Sequence, residues 1–114
     1  MICRIWHGCT PRGKADAYAH FLASRAVPDY RSVRGNLSVS VLRRDDAGVT
    51  HFLTVTNWES EDVIREFAGS DVLKAKYYPE DSEYLLEFEP HVQHFVVTAG
   101  SGAVYSLSAT HREG

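Results

Sequence analysis

Along this chain the spacing of apolar positions switches between two residues and 3.6, and the switches divide it into elements. Residues 2–8 alternate, with Ile2, Arg4 and Trp6 on one side and Cys3, Ile5 and His7 on the other, which predicts a strand. Thr10 and Pro11 read as the start of a helix, because Thr caps and Pro suits the first helical position. Ala15, Tyr18, Ala19, Leu22 and Ala26 then recur at helical spacing. Pro28 ends or kinks that helix, since it lacks an N–H and clashes with the turn before it. Residues 29–34 are read as one further turn, and Gly35-Asn36 breaks the pattern.

Strand alternation returns at Leu37, Val39 and Val41 against Ser38, Ser40 and Leu42. Asp45-Asp46-Ala47-Gly48 reads as a hairpin turn. The return strand, Val49 to Trp58, sets His51, Leu53, Val55 and Asn57 opposite Phe52, Thr54, Thr56 and Trp58. Ser60 is placed to cap a second helix, with Glu61 and Asp62 in its first turn, where the helix dipole favours anions. Val63, Ile64 and Phe67 face inward. Gly69 interrupts; Ser70-Asp71 is expected to restart a helix carrying Val72, Leu73 and Ala75, which Tyr77-Tyr78-Pro79 ends. Asp81 to Leu86 reads as another helical turn, and His91 to Thr98 as a last strand.

The resulting order is β-α-β-β-α-β, the ferredoxin-like α+β unit. It predicts a four-stranded antiparallel sheet in the order 4-1-3-2 with the helices on one face. The domain covers residues 1–98. Gly100-Ser101-Gly102 reads as a joint to a flexible tail, 99–114, where Val104, Tyr105 and Leu107 could add a short strand and the end is expected to be disordered. Large apolar side chains fall on both sides of the strands. Two helices cover one side only, and each large side chain left wet costs about 1.5–3 kcal/mol. A second copy of the chain is the simplest cover, so a homodimer with its sheets face to face is expected.

Composition narrows the class. At 114 residues with a net charge of -3, the chain lacks the basic stripe that nucleic acid requires, and Arg43-Arg44 is followed at once by Asp45-Asp46. No apolar run approaches the ~20 residues of a membrane span. The first residues are strand-like and lack the parts of a signal peptide, so a cytoplasmic location is expected. Cys3 and Cys9, six residues apart in extended chain, should lie about 20 Å apart. A disulfide between them is therefore excluded. Cys3 reads as a small core residue and Cys9 as one at a loop mouth.

Trp58-Glu59-Ser60-Glu61, Phe67-Ala68-Gly69-Ser70-Asp71-Val72-Leu73-Lys74-Ala75 and Val92-Gln93-His94-Phe95-Val96-Val97 resemble the antibiotic biosynthesis monooxygenase family of dimeric α+β barrels. The resemblance covers residues 1 to about 98. It implies a small dimeric barrel, and it points to two characterised branches. One oxidises aromatic polyketides without a cofactor. Its functional Asn, four residues before the Trp, falls here on Thr54, and its Tyr, six after, falls on Ile64. Asn57 offers the nearby amide, on the other face of the strand. The second branch degrades haem, and its Asn, Trp and axial His fall on Trp6 or His7, on Phe67 and on Tyr77.

Cofactor-free oxygenation needs a base with a pKa near working pH, donors for an anion, and a dry aromatic pocket. His7 is the first choice as base and Tyr77 as donor. Arg4, Trp6, Thr54, Trp58 and Phe67 are the candidate substrate contacts, with no cofactor and no metal. Each has a plainer reading: Arg4 pairing with a carboxylate, Trp58 packing, Tyr77 closing a helix, His7 bonding a carbonyl or water. His91 and His94 point to opposite faces of a strand, and His7, His51 and His94 would bind a metal only if all three shared one face. The acids from Glu80 to Glu89 read as a solvated run. Three functions follow: a cofactor-independent monooxygenase acting on a small aromatic or quinol-like molecule, a non-catalytic small-molecule-binding barrel, and a haem-degrading enzyme.

Overall fold

In the computed structural model, which describes residues 1–105, the two longest alternating runs form the middle of the sheet. Strands β1 (Ile2–Pro11) and β3 (Val49–Trp58) pair antiparallel along their whole length, from Ile2 opposite Trp58 to Pro11 opposite Val49. Strand β2 (Asn36–Asp46) flanks β3, and β4 (Gln93–Val96) flanks β1. The order β2-β3-β1-β4 is the expected one, and the fold is ferredoxin-like α+β. The hairpin turn is tighter than the sequence suggested: Asp45 and Asp46 remain in β2, and Ala47 turns the chain at φ 55°.

The helices cover one face. Helices α1 (Ala15–Phe21) and α2 (Val27–Ser32) are joined by a wide turn, Leu22–Ala26, in which the Val27 N–H reaches back five residues to the Leu22 carbonyl. Pro28 has no N–H to offer, and this turn absorbs the mismatch, so the helix continues past it instead of ending. Tyr18, Leu22, Ala26 and Tyr30 form the buried stripe. Helix α3 (Glu61–Ala68) starts where expected, with the Ser60 hydroxyl accepting from the Val63 N–H at 3.4 Å, and it buries Ile64 and Phe67. Gly35 lies beneath this corner at φ 93°; a side chain there would collide with Val63. These residues meet Trp6, Phe52 and Trp58 from the sheet in one apolar core.

Three boundaries differ from the sequence reading. Thr10 and Pro11 belong to β1, and the helix begins at Ala15 after a short turn over Arg12–Lys14. Residues 70–78 form no helix. Gly69, at φ 89°, stops α3, and the chain beyond it lies against residues 90–92. Ala75 donates to the Pro90 carbonyl at 2.9 Å, and Val92 to that of Leu73 at 2.8 Å. The cause is long-range: the carbonyls of Val72 and Lys74 accept from the Arg4 guanidinium, and an α-helix would direct them into its own ladder. The last strand is shorter than expected, and Pro79–Glu83 makes a 3-10 turn. In the tail, Val104 and Tyr105 are not in a strand, and Leu107 lies outside the described residues.

Candidate functional site

The alternation of β1 sends Ile5, His7 and Cys9 to the face away from the helices, beside His51, Leu53 and Val55 of β3. There His7 is held at both ring nitrogens. Nδ1 meets the Glu89 carboxylate, and Nε2 lies 2.9 Å from Nδ1 of His51. The His51 Nε2 is 3.8 Å from the Asp46 carboxylate. Glu89 is positioned in turn by Tyr77, whose hydroxyl donates to the Glu89 carbonyl at 2.6 Å. With an Nδ1–H donated to a carboxylate, the Nε2 of His7 becomes the proton-accepting nitrogen. Two hollows flank it. One of about 210 Å³ is lined by His7, Leu42, Arg44, His51 and Leu53 among others. The other, about 360 Å³, is bounded by Ile5, His7, Leu53, Glu89, His91 and Gln93 among others.

Cys9 lies one step along the same face, its sulfur 3.7 Å from a Glu87 oxygen. It is buried in β1, not at a loop mouth. Burial, followed by the Glu87 and Glu89 carboxylates, pushes its thiol above the ordinary range. Cys3 and Cys9 are both free thiols.

The helix side is packed. Trp6 lies over Gly8, where any β-carbon would strike its ring. The space left among Trp6, Tyr18, Tyr30, Thr54, Lys76 and Asp81 amounts to about 10 Å³, room for one water at most. Thr54 is bonded to the Tyr30 hydroxyl at 3.2 Å. The Trp58 indole donates to the Thr56 hydroxyl at 2.7 Å, and its ring packs on Phe67 at 5.8 Å. Asp81 is buried and accepts from the Tyr18 hydroxyl at 2.9 Å and the Tyr78 N–H at 2.6 Å. Burial raises its pKa, and those two bonds oppose the rise.

Arg4 is 2 % exposed and does not pair with a carboxylate among the described residues. Besides the two carbonyls, it donates to Nε2 of His94 at 3.1 Å. An arginine cannot accept, so His94 is neutral with its proton on Nδ1. Burial, then the charge of Arg4, lowers the His94 pKa below its ordinary 6.5.

The structure thus divides the candidate residues. His7 and Tyr77 converge on Glu89 from two sides. Arg4, Trp6, Thr54, Trp58 and Phe67 lie in the helix-side layer, across the sheet from His7. His7 and His51 share a face, and His94 occupies the other, so the three do not meet. The acidic run is not uniformly solvated: Asp81 is core and Glu89 orients His7. One local signal for Asp81 was present, since its carboxylate caps the turn that Tyr78-Pro79 opens. Glu89 gave none, because its partner is 82 positions away. Of the positions carried over from the resemblance, Thr54 and Ile64 are core, and the Asn57 amide donates to the Ser38 hydroxyl at 3.0 Å.

Comparison with known proteins agrees with this architecture. The family model described as antibiotic biosynthesis monooxygenase matches residues 1–77. A Bacillus cereus protein provisionally described as such a monooxygenase superposes with a TM-score of 0.59 at 14% identity, over 90% of this chain and 97% of its own. Rv0793 from Mycobacterium tuberculosis gives 0.57 at 17% identity, over 89% and 98%. A mutant of MhuD with two manganese protoporphyrin IX molecules bound per active site gives 0.58 at 16% identity, over 90% and 100%. At these identities the likeness is one of fold. No curated protein sequence matches the chain.

Proposed function

The chain belongs to the antibiotic biosynthesis monooxygenase family, and from that premise we propose that it is a cofactor-independent monooxygenase acting on a small phenol or quinol, with His7 as its base. The observation that carries this reading is the clamping of His7 between Glu89 and His51 at the boundary of two hollows. Substrate displaces His51 from Nε2 of His7, which then removes the phenolic proton, and Glu89 stabilises the resulting imidazolium. The substrate anion reduces oxygen. One oxygen atom enters the ring as a quinone carbonyl and the other leaves as water, the substrate supplying all four electrons. Leu42 and Leu53 offer the ring an apolar bed, and Arg44 lies beside it for the anion. Tyr77 positions Glu89 and does not touch substrate.

This chemistry needs a dry site, and the hollows lie on the open face. A second copy would close them. Leu42 (47 % exposed) and Phe95 (50 %) stand out of this face as uncovered apolar groups. A homodimer joined through this face fits that exposure.

The test is oxygen uptake with a panel of electron-rich phenols and quinols. Turnover should fall about 100-fold or more in His7→Ala. It should persist in Thr54→Val, which alters only the helix-side layer. Equal loss in both variants, or no uptake with any member of the panel, would end this reading.

A second reading, a binding barrel without catalysis, is favoured by the filled helix-side space of about 10 Å³. It predicts saturable ligand binding with no oxygen consumed. Haem degradation fits these residues least. Tyr77 stands where the haem branch has its axial His, and the helix-side space has no room for a porphyrin. A flat haemin titration in the Soret region is the expected result.

A further inference from the structure

Strand β1 and an irregular segment lie side by side near the end of the outer face, and each sends two metal-ligating side chains, two residues apart, toward the other. On β1 these are His7 and Cys9, and on the segment before β4 they are Glu87 and Glu89. The segments are locked in register by the Leu86 N–H, which donates to the Cys9 carbonyl at 2.9 Å. The side chains meet in crossed pairs, His7 with Glu89 and Cys9 with Glu87. Ligand atoms of His7, Glu87 and Glu89 all lie within 4.8 Å of one another. The Cys9 sulfur extends the group to a fourth atom, 3.7 Å from Glu87.

We propose that His7, Cys9, Glu87 and Glu89 bind a divalent zinc-type ion. In a tetrahedral zinc site, neighbouring ligand atoms stand about 3.5 Å apart, as the bond lengths require. The Cys9–Glu87 separation already meets this, and modest side-chain rotation brings in the rest. One thiol, one imidazole and two carboxylates are a donor set that suits zinc over magnesium or calcium, which favour oxygen alone. Charge points the same way. Among the described residues neither Glu87 nor Glu89 pairs with a lysine or arginine, so two carboxylates share this corner with only His7 to balance them. The surrounding shell is also in place. Nε2 of His7 is held by His51 at 2.9 Å, the outer bond that fixes a ligating imidazole. Tyr77 fixes the backbone of Glu89.

Binding displaces the His7–Glu89 hydrogen bond, and the Cys9 thiol releases its proton to solvent as the metal–sulfur bond forms. The ion takes Nδ1 and the ring proton moves to Nε2, while His51 shifts its own proton from Nδ1 to Nε2, beside Asp46, so that the bond between the two rings reverses direction. Bound metal and a basic His7 therefore exclude each other. The site does not depend on oxygen chemistry and stands whether or not the chain is an oxygenase.

Cobalt(II), the visible stand-in for zinc, tests it on the full chain. One equivalent should bind per chain, with a thiolate-to-cobalt charge-transfer band in the near ultraviolet and strong visible bands of tetrahedral type, all displaced by zinc. Cys9→Ser should remove the charge-transfer band, and Cys3→Ser should keep it. Glu87→Gln/Glu89→Gln, which changes only partly or fully exposed carboxyls and so spares the core, should weaken zinc binding at least tenfold by calorimetry. His91→Ala, outside the quartet, should bind as the parent does. Affinity unchanged in the double glutamine variant overturns the site, as does a charge-transfer band that survives Cys9→Ser.

Discussion

The two faces of the sheet are built from the same strands and obey different rules. On the helix side, Trp6, Phe52, Thr54, Thr56 and Trp58 are buried, and the polar atoms of Thr54, Thr56 and Trp58 are bonded within that layer. On the far side, Ile5, His7 and Leu53 border open hollows beside a chain of ionisable groups. A close-packed face has no spare valence for chemistry. A face with unfilled volume and a polarised histidine does. The difference teaches that close packing and open space have been separated across one sheet, so residues adjacent in sequence meet opposite surroundings: Trp6 is sealed in the core and His7 borders the hollows.

The sharpest way to break this comparison is to truncate an aromatic on each side. Trp58→Ala should cost about 3–5 kcal/mol of unfolding free energy, because the site is sealed and cannot collapse. Chemical denaturation measures it, and a loss near zero would mean that the helix-side core is not what holds the fold. Next in size is Arg4→Met. It leaves the Val72 and Lys74 carbonyls without their donor, at about 1–3 kcal/mol. Amide exchange should quicken at Ala75 and Val92 before it quickens in the β1–β3 ladder. Uniform quickening would show that Arg4 does not pin this segment in particular.

A smaller effect should appear with pH. The folded pKa of His94 is depressed, so above about 6.5 the ring is neutral in both states and its contribution is complete. As the pH falls through 6.5, the unfolded ring takes up a proton that the folded ring refuses, and stability declines until the folded pKa is passed. His94→Gln, which keeps an acceptor for Arg4, should flatten the decline of Tm between about pH 7 and 5 relative to the parent. Parallel curves would remove His94 from the account. Smallest for the fold itself is Phe95→Ala on the open face, at about 0.5 kcal/mol or less. The same substitution should weaken self-association, and sedimentation that finds a single subunit in the parent as well would show that this face is not the dimer surface.

Element order, strand pairing and the division of each strand into two faces were legible because they depend on local period. Two residues per repeat places Phe52 and Trp58 together without any knowledge of their partners. The Ser60 cap and the Gly69 stop were legible for the same reason, since both act within one turn of chain. The segment after Gly69 was misread because its conformation is set by Arg4, about seventy residues earlier. The candidate site was half legible. His7 stood out by residue type and by its place on a central strand, but which face holds space is a question of packing, which the period does not answer. Glu89 and Glu87 looked like any exposed acids until the fold set them against His7 and Cys9. Sequence thus determined which side chains share a surface, because that is fixed by backbone geometry over a few residues. Tertiary structure alone decided which surface is filled and which charged groups meet, because those depend on contacts between segments some eighty residues apart.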